Sequence, residues 1–188
     1  DMMTGNVDHY KTFWKEFGRA VKEGLLNDFE NRETILDVAS FASTHDAEQL
    51  TTLRQYLERM KEGQQHIYYM TGESRLIIEN SPHMEAFRAK GFEVLILTDP
   101  VDEMWVESVR EFDSKQLQSI AKGQVDLDTE EEKKTAEPER DQQEKDFADL
   151  LSWMTTTLQE DVKEVRLSSR LTTSPACIVG DAHDVTPT

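Results

Sequence analysis

Two runs of β-forming residues, separated by a helical stretch, constrain the fold of this chain more than any other feature of its sequence. The first run is 66–70. The second is 92–97, which is mostly apolar, as strands covered on both faces are. Between them, Ser81-Pro82 is typical of a helix start and Gly91 of a helix end. The pattern predicts a βαβ unit with parallel strands and a right-handed crossover.

The first third of the chain has the pattern of helices. Apolar residues at positions 10, 13, 14, 17 and 21 share one helix face, and Gly24, which follows Lys22, is expected to end that helix. A second helix is expected to carry the apolar residues at 35, 36 and 38. A third begins at the capping-box motif Thr52-x-x-Gln55. We therefore predict a helical bundle over residues 1–62.

The fold expected for the whole chain is of the α/β class, or α+β overall. A small α/β sandwich over 63–124, which contains the βαβ unit, follows the bundle and completes a first domain over 1–124. Residues 125–146 are predicted to be an acidic flexible linker, because positions 126–146 hold ten acidic side chains, four basic ones and no aromatic. A helix over 147–158 and strands around 162–168 and 175–179 are expected to begin a second α+β domain over 147–188, truncated in this chain.

The charge and the cysteine content exclude several classes of partner. A formal net charge of −17 repels nucleic-acid phosphates and anionic membrane surfaces. The single Cys177 allows neither an internal disulfide nor a cysteine-rich zinc site, and no apolar run approaches the ~20 residues of a membrane span. We expect a soluble cytoplasmic protein with no nucleic-acid or membrane partner. Because the sequence begins at Asp1 without an initiator methionine, we also expect a segment of a longer protein.

Motifs for catalysis, cofactor binding and metal binding are weak. The loop 71–74 has one glycine and a carboxylate, which makes a poor phosphate cradle. The His-Asp pairs at 45–46 and 183–184 and the aspartates at 126 and 128 lack metal-ligand spacing, and those at 99 and 102 fit a helix cap better. Cys177 is expected to be a buried strand residue. We predict no catalytic, cofactor-binding or metal-ligating residue; the alternative is a small α/β enzyme with its site near Thr71 and Thr98, at the strand ends.

Residues 99–113 predict a helix with an unusually broad apolar face. One buried face does not need all of its apolar side chains, which are Val101, Met104, Trp105, Val106, Val109 and Phe112. Methionine and tryptophan adapt to varied apolar surfaces and anchor protein contacts. Glu103, Met104, Trp105 and Glu107 are therefore candidate protein-contact residues. The alternative is that Met104 and Trp105 both pack on the neighbouring strand.

Several short stretches of the sequence resemble motifs of a known protein family. Examples are YKTFWKEFG at 10–18, YLERMKEGQ at 56–64 and DPVDE at 99–103, and further stretches lie at 22–24, 31–33, 41–44, 67–69, 81–83, 91–95, 165–167 and 174–176. In this order they resemble the ninety-kilodalton heat-shock chaperones, and most closely the bacterial member. The resemblance covers nearly the whole chain except the acidic stretch.

The resemblance implies a place for the chain within a longer ATP-dependent chaperone. Residues 1–124 would be the distal half of the family's middle domain, and residues from 147 the start of its C-terminal dimerisation domain. The ATP-binding domain with its Mg²⁺, and the arginine that reaches the ATP γ-phosphate, would lie outside this chain. No cofactor is therefore expected here, and the chain would bind and transmit without bond chemistry.

The resemblance also implies partners. The family's middle-domain client contacts map onto Glu103, Met104, Trp105 and Glu107, although bacterial relatives more often place the tryptophan at the position of Met104. The implied partners are unfolded or partly folded client proteins and the partner chaperones of the longer protein. That protein would be a homodimer, whereas this chain, without the dimer-forming helices, is expected to be mainly monomeric. The implied function is client binding and coupling between domains.

Overall fold

The computed structural model describes residues 2–123 and 125–181, with helices packed on both faces of a mixed sheet. The helices are α1 (Met2–Gly5), α2 (Val7–Asn27), α3 (Arg32–Val38), α4 (Leu53–Glu58), α5 (Arg75–Glu79), α6 (Glu85–Lys90), α7 (Pro100–Ser108) and α8 (Glu130–Thr157), with a 3-10 turn at Pro82–Met84. The strands are β1 (Ser40–Ser43), β2 (Asp46–Thr52), β3 (His66–Thr71), β4 (Leu95–Leu97), β5 (Glu111–Phe112) and β6 (Lys115–Ser119). They form one six-stranded sheet in the order β2-β1-β4-β3-β6-β5. The predicted α/β class is confirmed.

The βαβ unit is present as predicted. β3 and β4 are parallel neighbours, with Tyr69 opposite Leu95, and α5, the 3-10 turn and α6 lie in the crossover. The Ser81 side chain caps the 3-10 turn by accepting from the His83 backbone N–H. Gly91 ends α6 at a φ of 65°, the left-handed conformation that glycine adopts without strain. β6 pairs in parallel with the other side of β3.

The prediction of a purely helical unit over 1–62 is wrong, because two strands lie within it. β1 and β2 form an antiparallel pair, and β1 also pairs with β4, with Ala42 opposite Ile96. These strands extend the same sheet instead of belonging to a separate bundle. β2 is an edge strand whose side chains are mostly exposed, so it lacks the apolar alternation that marks a strand in a sequence. Pairing across the sheet decides its conformation.

The first long helix differs from the prediction in its end and in its buried face. α2 continues past Gly24 to Asn27, and Gly24 allows close packing: a Cβ there would lie 2.8 Å from Cδ1 of Ile35 on α3. The buried residues of α2 are Tyr10, Trp14, Gly18, Lys22 and Leu25. Phe13 and Phe17, predicted to be on the buried face, are exposed and stack on each other with ring centroids 5.5 Å apart.

The sheet separates two apolar cores. One contains side chains of α2, α3, α4 and α7, and the other those of α5 and α6. β3 contributes to both, since successive side chains of a strand point to opposite faces: Ile67 and Tyr69 face the first core, and Tyr68 and Met70 the second. The central strands therefore join the two predicted parts of the first domain through one sheet.

Most of the stretch predicted to be a flexible linker is helical. α8 begins with a capping box in which the Glu132 N–H donates to Thr129 Oγ1 over 3.2 Å and the Thr129 N–H donates to Glu132 Oε2 over 2.8 Å. A run rich in Glu, Lys and Gln follows, and these residues have high helix propensity. The division into two domains at this stretch stays a prediction.

The strands predicted around 162–168 and 175–179 are absent from the described residues 158–181. Regular pairing in that segment is limited to an isolated parallel bridge between Gly180 and Lys122. Cys177 is half-buried in irregular chain, not in a buried strand. Short apolar runs form strands only where a neighbour pairs with them. Gln124 and residues 182–188, which include the His183-Asp184 pair, lie outside the described residues.

Candidate functional site

α7 carries all four candidate contact residues and follows directly from the carboxyl end of β4. Its first turn is closed by a hydrogen bond from the Asp99 N–H to Asp102 Oδ2, over 3.0 Å, and Pro100 occupies the first helical position. The predicted cap at Asp99 and Asp102 is therefore confirmed. The helix ends at Ser108, after which Val109 turns into extended chain.

Trp105 is a core residue. Its side chain is completely buried, its ring centroid lies 5.6 Å from that of Phe41 on β1, and its indole N–H donates to Asp102 Oδ1 over 2.7 Å. Of the two possibilities that the sequence left open for this tryptophan, the structure shows packing beneath the helix. Trp105 is thus wrongly placed among the candidates for direct protein contact.

A buried ion cluster fixes α7 against α2. The Lys22 ammonium lies 2.7 Å from Asp102 Oδ1 and 2.5 Å from Asp99 Oδ2, and both Lys22 and Asp102 are buried. Removing one member would leave a buried charge without its partner, which is strongly destabilising. The sequence interpretation placed Lys22 only near a helix end. The spacing of residues 14, 18, 22 and 25 is the one signal that could have assigned it to the buried face.

Met104 is the exposed apolar residue of α7, with 58% of its surface accessible. The carboxylates on either side have partners of their own. Glu103 Oε1 accepts from the Thr71 hydroxyl at the end of β3 over 2.6 Å. Glu107, which is exposed, accepts from the buried ammonium of Lys122 over 3.1 Å. The structure thus places an exposed methionine between two anchored carboxylates.

Thr71 and Thr98, at the strand ends, have different surroundings. Thr71 is buried and bonded to Glu103, and Thr98 is exposed. Two shallow depressions of about 380 and 390 Å³ lie on the described surface, and neither is lined by these threonines. Burial, together with the nearby Glu107 and Glu103, raises the pKa of Tyr69 to about 12. Within residues 2–123 and 125–181 no group of three or more His, Cys, Asp or Glu side chains is placed to hold a metal.

Other exposed apolar side chains lie outside α7, and the sequence interpretation missed them. Phe17 on α2 is 55% exposed, and Leu76 and Ile77 on α5 are likewise exposed. On α8, Phe147, Leu150 and Trp153 face solvent. An apolar residue in a helical stripe reveals neither which helix covers it nor whether any does, so sequence spacing alone could not identify this group.

Comparison with known sequences identifies the family. The profile described as "Hsp90 protein" matches residues 1–188. The chain belongs to the Hsp90 family. No helix of this Hsp90-family chain within 2–123 or 125–181 combines the length and apolar character needed to cross a bilayer.

Curated Hsp90-family relatives named "Chaperone protein HtpG" are similar over most or all of the chain. The relative from Rhodococcus jostii is 68% identical over 187 residues, which is 100% of this chain and 29% of the relative. That from Nocardia farcinica is 72% identical over 178 residues, or 95% of this chain and 27% of the relative. That from Frankia casuarinae is 66% identical over 99% of this chain. The chain therefore spans about 27–29% of the length of these relatives.

Proposed function

We propose that this chain supplies a client-binding surface to a longer ATP-dependent chaperone and couples the motion of its neighbouring domains. The observation that carries the client-binding part is the exposed Met104 on α7, a helix that Lys22 and Trp105 hold rigidly against the core. Membership of the Hsp90 family and the name of the relatives support a chaperone role. The same name argues against a separate small α/β enzyme.

The local physics favours binding of varied apolar segments. Methionine has an unbranched, polarisable side chain that adapts to differently shaped partners. Because α7 is already ordered, binding there requires little further ordering of the backbone, and less of the contact free energy is lost. Glu103 and Glu107 form a polar rim around Met104, as is typical of contact sites with an apolar centre.

In this proposal the ATP chemistry belongs to other parts of the longer protein. ATP and Mg²⁺ would bind outside the 188 residues, and the residues named above would perform no bond chemistry. Homodimerisation and contacts with partner chaperones would also involve the longer protein, which we place in the cytoplasm. The chain itself would be mainly monomeric, because its net charge of −17 opposes self-association.

The test is Met104→Ser in the full-length protein. The probe is a permanently unfolded client, reduced and carboxymethylated α-lactalbumin, and its affinity is measured by fluorescence anisotropy. Loss of a contact anchor is expected to weaken binding by about 1–2 kcal/mol, or roughly 5- to 30-fold. The melting temperature should stay unchanged, because the side chain is mostly exposed.

The matched control is Leu50→Ser, which removes another exposed apolar side chain, from the edge strand β2. It should leave client affinity unchanged. Equal losses in the two variants would indicate a general effect of surface hydrophobicity. An unchanged affinity in Met104→Ser would contradict the proposed surface.

A further inference from the structure

Three successive backbone N–H groups converge on one carboxylate, that of Glu85 at the start of α6. The N–H groups of Thr172 and Thr173 donate to Oε2 over 2.6 and 2.8 Å, and that of Ser174 to Oε1 over 3.0 Å. The Ser174 hydroxyl also donates to Oε1. Successive N–H groups that point to one place form an anion-binding concavity. Here the chain supplies the anion itself, from a residue far away in the sequence.

The electrostatics agree with a strong contact. The hydroxyl of Ser174 and the backbone N–H groups of Thr173 and Thr172 lower the pKa of Glu85 to about 2. Hydrogen bonds to the charged form of a carboxyl favour ionisation, so Glu85 is a carboxylate at neutral pH. Contacts of this charge-assisted kind are stronger than neutral hydrogen bonds.

The residues on either side of this contact are attached to the same part of the fold. Four residues before Ser174, the Arg170 guanidinium donates to the carbonyls of Ile120 and Gly123 over 3.1 and 3.2 Å. Further along, Gly180 donates to the Ala121 carbonyl over 3.2 Å and accepts from the Gly123 N–H over 2.8 Å. Segment 170–180 is therefore held on α6 and on the chain that follows β6.

This attachment is mainly polar. No side chain of the described residues 158–181 belongs to either apolar core, and Leu167 and Ile178 are exposed. The buried His83 of the 3-10 turn lies close to the backbone of Ile178. The contacts of Glu85 and Arg170 are therefore the charged contacts that hold this segment, in which Leu171, Cys177 and Val179 are half-buried.

A single residue, Lys122, connects the docked segment to the candidate contact helix α7. Gly180 is paired with Lys122, and the buried ammonium of Lys122 donates to Glu107 on α7. A change in the position of residue 180 would therefore reach α7 through a single side chain. This is a physical connection between Gly180 and the surface around Met104.

We propose that Glu85 is a latch that closes segment 170–180 onto the sheet. With the carboxylate in the concavity of residues 172–174, Gly180 pairs beside Lys122 and supports its contact with Glu107. When the carboxylate leaves, the segment detaches from α6 and from the chain that follows β6. The role of the latch in a chaperone rests on the coupling function proposed above, whereas its existence can be tested without any client.

The experiment is hydrogen exchange, followed by mass spectrometry, of the full-length protein and its Glu85→Gln variant. The variant removes the charge and keeps the size of the side chain. Exchange in the peptide over 172–174 should become about tenfold faster or more, because hydrogen bonds to a charged acceptor are stronger than those to a neutral one. The Gly123 and Gly180 amides should also exchange faster. Exchange in β3 should be unchanged. The control is Glu111→Gln, which alters an exposed carboxylate on β5.

Unchanged exchange over 172–174 in Glu85→Gln would overturn the latch. Equal acceleration in β3 would also overturn it, because Glu85 would then stabilise the whole fold. Should Glu85→Gln fail to fold, Ser174→Ala removes the hydroxyl contact alone and should give a smaller acceleration confined to the same peptide. These measurements do not involve client affinity. The Met104 proposal can therefore fail without contradicting the latch, and the latch can fail without contradicting the Met104 proposal.

Discussion

At the scale of single residues, Met104 and Trp105 are adjacent in the chain and have opposite environments. Trp105 fills the first core and donates its indole N–H to Asp102, which also binds Lys22. We expect Trp105→Ala to lower the free energy of unfolding by about 3–5 kcal/mol, since a large buried side chain is lost. Trp105→Phe keeps most of the ring and loses the N–H donor, so a smaller loss of about 1–2 kcal/mol is expected.

Urea denaturation of the 188-residue chain, followed by far-ultraviolet circular dichroism, measures both losses. Met104→Ala serves as the neighbouring control and should change stability by less than about 0.5 kcal/mol, because its side chain is mostly exposed. If Trp105→Ala were as stable as the parent chain, the tryptophan would not occupy the core in solution.

At the scale of elements, α8 contains Pro138 in its interior. Proline lacks the N–H that the helix needs and costs about 3 kcal/mol relative to alanine at such a position. The first half of α8 is largely exposed, and its contacts with Lys90 and its capping box lie at the start of the helix, away from Pro138. We expect Pro138→Ala to slow trypsin cleavage after Lys133, Lys134 and Arg140. Ala136→Gly should accelerate it, since glycine lowers helix stability by about 1 kcal/mol.

The two substitutions on α8 act in opposite directions on the same turn, so each is the control for the other. Cleavage is followed by mass spectrometry over time under limiting trypsin, and it should begin in this region before it reaches the sheet. Identical cleavage rates for both variants and the parent chain would show that residues 130–146 are not helical in solution.

At the scale of the whole molecule, one sheet passes between both cores, so we expect the cores to unfold together. Leu36 lies in the first core and Phe87 in the second, whereas Trp14 and Trp105 both lie in the first. In a Trp153→Phe background, tryptophan emission reports the first core alone. Phe87→Ala should nevertheless lower the free energy of unfolding measured from this emission by about 3–5 kcal/mol. Leu36→Ala should lower it by a similar amount, about 2–5 kcal/mol.

Urea titration with fluorescence detection measures these shifts, and Leu50→Ala, at an exposed position on β2, should leave the midpoint unchanged. A normal tryptophan transition in Phe87→Ala would mean that the two cores unfold independently. The shared strand β3 would then not transmit stability between them.

The local signals in the sequence were sufficient for the features that depend on neighbours along the chain. The capping boxes at Thr52 and Asp99, the helix end at Gly91 and the parallel strands on either side of the crossover were all predictable. Each depends on a few adjacent residues whose chemistry favours one conformation. The motifs of the Hsp90 family were readable for the same reason, because they are short and contiguous.

What the sequence by itself determined is therefore the βαβ unit, the main helices that precede residue 109 and the family. The tertiary structure decided that residues 40–52 are strands, that Trp105 is buried while Met104 is exposed, and that Lys22 and Glu85 bind groups far along the chain. These features depend on which elements meet in space. Strand pairing, burial and long-range hydrogen bonds arise between segments whose separation in sequence carries no local signal, so only the folded arrangement of the sheet and its helices defines them.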